Sequence, residues 1–229
     1  LGVPSALLTQ AEIDRLRPAA DAELARVWGE PLLLRKAHDG YHRLPDGRTM
    51  MGQGPEYAAI YILRDPWDVA VSMTNHFGCT LEQAVENLCN TEFAVAMSRK
   101  GLSGQLRQDL GTWEQHAGGW LQAPLDLCLL RYERMKATPL AEFRRAVRFL
   151  GLAHEDTAIE VALEASRFER LAQQEAEQRF REAPTNTRTF FRRGQTGEGL
   201  AQLSAEQRQP LEAMRERVEA LIAARGLDR

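Results

Sequence analysis

The chain has 229 residues, 44% of them hydrophobic, and a formal net charge of −3 at neutral pH. That is enough apolar material for one large core or two small ones, and the charge excludes the strong basic bias of a non-specific nucleic-acid binder. Cys79, Cys89 and Cys128 form no C-x-x-C pair and the five histidines are scattered, so neither a disulfide framework nor a zinc site is indicated.

In chain order, residues 5–28 read as a helix, with Leu7, Leu8, Ile13, Leu16, Leu24 and Val27 at helical spacings and Thr9 or Ser5 as the cap. PLLLRKAH, residues 31–38, is an apolar run compatible with a buried strand, and the turn-rich DGYHRLPDG follows it. YAAIYILR, residues 57–64, favours a second strand. Asp65 at the N-cap, Pro66 at N1 and Asp68 in the first turn then open a helix whose Trp67, Ala70, Val71 and Thr74 share a face. Residues 80–122 read mostly as helices broken by KGLSGQ, with Trp113 and Trp120 near their end. PLDLCLLRYE is a third apolar run, short enough for a parallel strand. Thr138-Pro139 opens a helix with Leu140, Phe143, Val147 and Leu150 as its buried stripe and Gly151 as its stop. Residues 155–180 continue helical, PTNTRTFFRRGQTGEG is a polar loop, and Ser204 with Gln207 makes a capping box for a last helix to Gly226. Strands alternating with helices predict an α/β domain with a mainly parallel sheet flanked by helices. With no internal repeat or long linker, a single domain over residues 1–229 is expected.

YILRDPWDVAVSM poses the functional question, because it puts Arg64 at a strand end and Ser72 two turns into the next helix. Ligands of open α/β sheets sit beyond the carboxyl ends of the strands, where helix N-termini favour anions. Arg64 offers a planar fork to phosphate there. The alternative is an Arg64 paired with a neighbouring carboxylate and a Ser72 that only packs.

Five blocks in order answer it. YILRDPWDVAVS resembles the R-[ND]-P-x-D-x-x-x-S segment of the PAPS-dependent sulfotransferases. LLLRKAHDG is similar to the family's K-T-H strand with Ala37 for Thr, and LLRYERMKATPLAEFRRAVRFLGL to its Y-E-D-x-x-x-x-P segment with Arg134 for Asp. LEASRFERL resembles the T-S-F-x-x-[LM] region, and FFRRGQTGEG the F-x-R-K-G-x-x-G-D-W loop. TWEQHAGGWLQAP looks like bacterial members, a softer match.

The resemblance implies a three-layer, P-loop-NTPase-like α/β fold and sulfonate transfer from PAPS to a hydroxyl of a small or medium organic acceptor. In such a reaction, positioning and neutralisation of the leaving group do most of the work. By its place in the K-T-H block, His38 is implied as the general base and Lys36 as the cation on the departing phosphate oxygen. His42, four residues on, is the rival; His76, His116 and His154 have no block behind them. The resemblance assigns Arg64, Ser72, Arg192, Arg193 and Gly194 to the 3′-phosphate, and Tyr132, Ser166 and Phe168 to the adenine pocket. Phe168 in a helical pattern reads equally as core. Residues 73–122 are expected as a helical cover on the acceptor side.

The family's P-K-x-G-T-x-W phosphosulfate loop is absent, and the chain begins with Leu. Upstream residues are expected to be missing, and this polypeptide alone is expected to be a poor catalyst. Two rival readings stay open: a nucleotide-binding protein with a degenerate site, and a related P-loop phosphotransferase using Mg²⁺ and ATP. No metal is implied for the leading reading, nor a nucleic-acid partner. With no run of about 18 apolar residues and no visible leader, a cytoplasmic location without a membrane span is expected. The oligomeric state stays open.

Overall fold

A computed structural model describes residues 8–96, 106–152, 155–178, 180 and 194–228. The chain divides into two compact units, Leu1–Ala59 with Asn90–Asp126, and Ile60–Cys89 with Leu127–Arg229. The segment 73–122 is therefore shared, with residues 73–89 in the second unit and 90–122 in the first.

In the first unit, α1 (Gln10–Trp28) starts where Thr9 and Glu12 cap each other reciprocally. Ile13 is its buried residue, while Leu24, Val27 and Trp28 are exposed. The run 31–38, read as compatible with a buried strand, has no regular secondary structure, and Leu34 is 67% exposed. A strand is stable only where a neighbour takes its backbone N–H and C=O groups. Among the described residues no ladder forms along this run. The expectation of helices across 80–122 is also corrected in its middle. There β2 (Ala94–Val95) pairs antiparallel with β3 (Gln108–Asp109), and the Phe93 carbonyl accepts the N–H groups of Leu110 and Gly111, each at 2.9 Å. The breaker KGLSGQ lies outside the described residues. Helix α4 (Trp113–Leu121) then begins at a capping box of Thr112 and Gln115.

The second unit is built on β1 (Ala58–Leu63) and β4 (Asp126–Arg131), neighbours in a parallel sheet whose first residues lie at the unit boundary. Each strand hands over at once to a helix, α2 (Pro66–Phe77) after β1 and α5 (Tyr132–Ala137) after β4. The Asp65 N–H donates to Glu133 Oε1 at 3.0 Å and ties the two handovers together. Helix α3 (Leu81–Cys89) follows α2, and α6 (Pro139–Phe149) follows α5. Cys128, Leu130 and Ala146 form a core cluster with Ile60, Met135 and Phe149 packed on it, which seats α6 against the sheet. The stripe of α6 is shifted from expectation: Glu142 and Ala146 are buried, whereas Leu140, Phe143, Val147 and Leu150 are half-buried. Gly151 ends the helix at φ +67° with its N–H on the Arg148 carbonyl and that of Leu152 on Val147.

Helices α7 (Asp156–Ala165) and α8 (Phe168–Gln178) follow, then α9 (Glu198–Gln202) and α10 (Ala205–Arg225). Ser204 and Gln207 form the expected box, and Leu211, Met214, Val218 and Ile222 make a buried stripe along α10, which packs on α2 and α3.

Candidate functional site

In the second unit, the carboxyl ends of β1 and β4 open onto a cavity of about 390 Å³. Arg64 ends the first handover, and Ser72 and Asn75 reach the cavity from α2. Tyr132 and Lys136 come from α5, Ser166 and Phe168 from the break between α7 and α8, and Gly194, Gln195 and Glu198 from the segment before and into α9. Helical spacing explains the pairings: Ser72 and Asn75 are three positions apart and Tyr132 and Lys136 four, so each pair shares a face.

Arg64 is held in a fixed plane. Its guanidinium carbon lies 4.5 Å from the centre of the Tyr132 ring, and Nη2 donates to the Gln195 carbonyl at 2.8 Å. Asp68 Oδ2 is 3.7 Å from Arg64 Nη2, but the short hydrogen bonds of that carboxylate go elsewhere. Asp68 is 1% exposed and accepts the backbone N–H groups of Gly197 at 2.7 Å and Gly199 at 2.9 Å. It thus moors the late loop to the first turn of α2. The neighbouring Asp65 makes no side-chain cap and instead pairs with Arg215 Nε at 2.7 Å.

Ser72 is exposed on the cavity wall. The Ser166 hydroxyl already donates to the Ala162 and Leu163 carbonyls at 2.9 and 3.2 Å, so it faces a ligand as an acceptor. Phe168, the first residue of α8, is half-buried, and α8 has no buried residue, so the ring is a wall rather than core. Gly194 has φ +59°, and a Cβ built on it would come within 2.6 Å of the Phe168 ring. Only glycine fits there without displacing that ring. Arg192 and Arg193 lie outside the described residues.

Five polar cavity residues had no site role at the level of sequence: Asp68, Asn75, Lys136, Gln195 and Glu198. Asp68 is the acid of the R-D-P-x-D pattern, and Lys136 is signalled by its i+4 spacing from Tyr132.

In the first unit, Lys36 and His38 are exposed at the end of the irregular run, while Asp39 and Gly40 are buried. The His38 carbonyl accepts from His116 Nε2 and the Asp39 carbonyl from Trp120 Nε1, both at 2.9 Å. The Asp39 carboxylate takes two N–H groups of Arg17 at 3.2 and 2.9 Å. Burial holds the His116 ring below the ordinary histidine range. A carbonyl can only accept, so Nε2 of that ring carries the proton. His42 turns Nδ1 to the Gly40 carbonyl at 2.9 Å, which commits one of its ring nitrogens locally.

A family model described as "Sulfotransferase domain" matches residues 53–221. The chain belongs to the sulfotransferase family. Cytosolic sulfotransferase 16 of Arabidopsis thaliana is 30% identical over 160 residues, covering 64% of this chain and 46% of that protein. Cytosolic sulfotransferase 17 of the same plant is 27% identical over 186 residues, covering 76% and 51%. The chain thus spans about half the length of these relatives. A mouse sulfotransferase solved with PAP superposes with a TM-score of 0.50 at 18% identity, over 68% of this sulfotransferase chain and 56% of that one. Retinol dehydratase, solved with androsterone and the inactive cofactor PAP, gives 0.50 at 20% identity over 69% and 46%. What these structures share with the present chain is the α/β fold.

Proposed function

We propose that this chain belongs to an enzyme moving a sulfonate group from PAPS to the hydroxyl of a small or medium organic acceptor. One observation carries the reading. Arg64, Ser72, Tyr132, Ser166, Phe168 and Gly194 come from distant parts of the chain and wall one cavity. The donor set suits a nucleotide with a ribose 3′-phosphate. Arg64 is a stacked, always charged fork, Ser72 adds a hydroxyl, and Gly194 lets backbone approach where a side chain cannot stand. Phe168 offers a flat apolar face to a base, and the Ser166 hydroxyl an acceptor to its amino group. Arg192 and Arg193 are proposed for the same phosphate.

PAPS supplies the activated sulfonate. His38 takes the acceptor's hydroxyl proton on its imidazole as the acceptor oxygen bonds to sulfur and the bond from sulfur to the 5′-phosphate oxygen breaks. Lys36 neutralises the charge gathering on that phosphate. The exposed His38 side chain supports this choice over His42, whose Nδ1 faces its own loop. Retinol and androsterone, found with retinol dehydratase, are both alcohols of suitable size to try.

Titration of the full-length protein with adenosine 3′,5′-bisphosphate and with AMP, without magnesium, tests the nucleotide reading. Two charge-assisted hydrogen bonds to the 3′-phosphate predict binding of the bisphosphate at least about 100-fold tighter than that of AMP. Equal affinities, or binding that needs Mg²⁺, sink it. Transfer from PAPS to a panel of phenols and alcohols, retinol and androsterone among them, tests the reaction.

A further inference from the structure

His38 poses a mechanical problem, because its side chain is exposed and the run before it has no regular structure. Catalysis by a positioned base requires the imidazole to stay within a fraction of an ångström of its working place. Something other than a strand must therefore hold its backbone.

The restraint starts at His38 itself. Two successive carbonyls, those of His38 and Asp39, each accept a side-chain N–H from α4, from His116 and Trp120 respectively, at 2.9 Å. His116 and Trp120 are four residues apart on a helix and so present their rings on one face. The Gly40 N–H then donates to the Asp109 carbonyl at 2.9 Å, and Arg17 of α1 grips the Asp39 carboxylate, which is 3% exposed. Helix α4 lies unusually close: a Cβ on Gly119 would come within 2.5 Å of the Tyr41 carbonyl oxygen. The Tyr41 and Trp120 rings pack with centroids 5.3 Å apart. Residues 38–41 are thus fixed from three elements, and none of these bonds uses the His38 imidazole.

We propose that His116, assisted by Trp120, is a positioning residue that holds the turn carrying the general base His38. The inference rests on the base assignment above. The role needs an N–H donor, and the buried His116 ring, held below the ordinary histidine range, supplies one without placing a positive charge beside His38.

The test uses the full-length protein and the fastest acceptor of the panel, with His116→Ala, His116→Gln, Trp120→Phe and His38→Ala compared. Misplacing a catalytic group by about 1 Å costs on the order of 100-fold. His116→Ala is therefore expected to lower kcat by about 10- to 100-fold, with KM for PAPS and bisphosphate affinity essentially unchanged. His116→Gln keeps a donor of similar reach and is expected to recover most of the loss. Amide exchange at Gly40 is expected to quicken at least about tenfold in His116→Ala, as a local opening. Trp120→Phe removes the second donor while keeping an apolar ring, and is expected to lower kcat in the same sense. If His38→Ala loses turnover while His116→Ala keeps both turnover and slow Gly40 exchange, the inference alone fails. A kcat loss that Gln leaves unrepaired, or that comes with equal loss of nucleotide affinity, assigns His116 to general stability and also overturns it. If His38→Ala keeps full turnover, the base reading fails and takes the inference with it.

Discussion

The guanidinium of Arg64 is stacked at 4.5 Å over Tyr132 and donates one N–H to the Gln195 carbonyl at 2.8 Å, so its plane is set by the protein itself. A ligand phosphate then meets a cation that loses little rotamer freedom on binding. Lysine has the charge but neither the flat face nor the fork. Arg64→Lys is therefore expected to weaken adenosine 3′,5′-bisphosphate binding by about 10- to 100-fold, the worth of roughly one charge-assisted hydrogen bond. AMP, lacking the 3′-phosphate, should lose less than about threefold in affinity. Calorimetric titration of both ligands decides it. Equal losses would mean that Arg64 shapes the wall by stacking on Tyr132 and does not hold the phosphate.

Helix α10 separates two kinds of stabilisation within one element. Its start depends on the reciprocal bonds of Ser204 and Gln207, and its seat on the stripe of Leu211, Met214, Val218 and Ile222. A lost N-cap costs about 1 kcal/mol, whereas a leucine truncated at a fully buried site costs about 2–5 kcal/mol through lost burial and a cavity. Urea unfolding of Ser204→Ala and Leu211→Ala should therefore rank Leu211→Ala as clearly the more damaging. The reverse order would show that α10 is held mainly by its own first turn. The same contrast explains what could be read from sequence. The caps at Thr9 and Ser204 and the stop at Gly151 were legible because every partner lies within a few residues. The run 31–38 was not, because a strand depends on a partner that local pattern does not contain. Asp68 was legible as an acid in the first turn of α2 but not as the anchor of Gly197 and Gly199, which lie about 130 positions away. Arg64, Ser72, Tyr132, Ser166, Phe168 and Gly194 were named together through motifs rather than spacing, and lie together around one cavity.

At the scale of the whole molecule, charge links the C-terminal helix and the residues just after it to the end of β4. Arg131, at the end of β4, makes paired hydrogen bonds to Glu219 of α10 at 2.7 and 2.6 Å and reaches Asp228 at 2.8 Å. Arg134 lies 3.3 Å from Asp228. Hydrogen bonding to Arg131 is the main cause that holds both carboxyls below their ordinary range. Their folded pKa values are thus lower than in the unfolded chain, so the unfolded state binds more protons as the solution is acidified. The stability they contribute is complete above the usual carboxylate pKa of about 4 and is lost as pH falls through the depressed folded values. His116 acts in the same sense nearer neutrality, since burial lowers its pKa and its contribution fades as pH drops below about 6.5. Asp14 opposes them: burial raises its pKa, so what it contributes is present at low pH and lost as pH rises. Three of these four groups favour the folded state at higher pH. The melting temperature is therefore expected to be nearly flat between about pH 7 and 8 and to fall steeply below about pH 4.5. Glu219→Gln should lower the plateau and flatten the acid limb, because the titrating carboxylate is gone while its shape remains. Thermal melts of both proteins across that range check this. A Glu219→Gln protein with an acid limb as steep as the unaltered one would show that the Arg131 cluster does not govern acid unfolding.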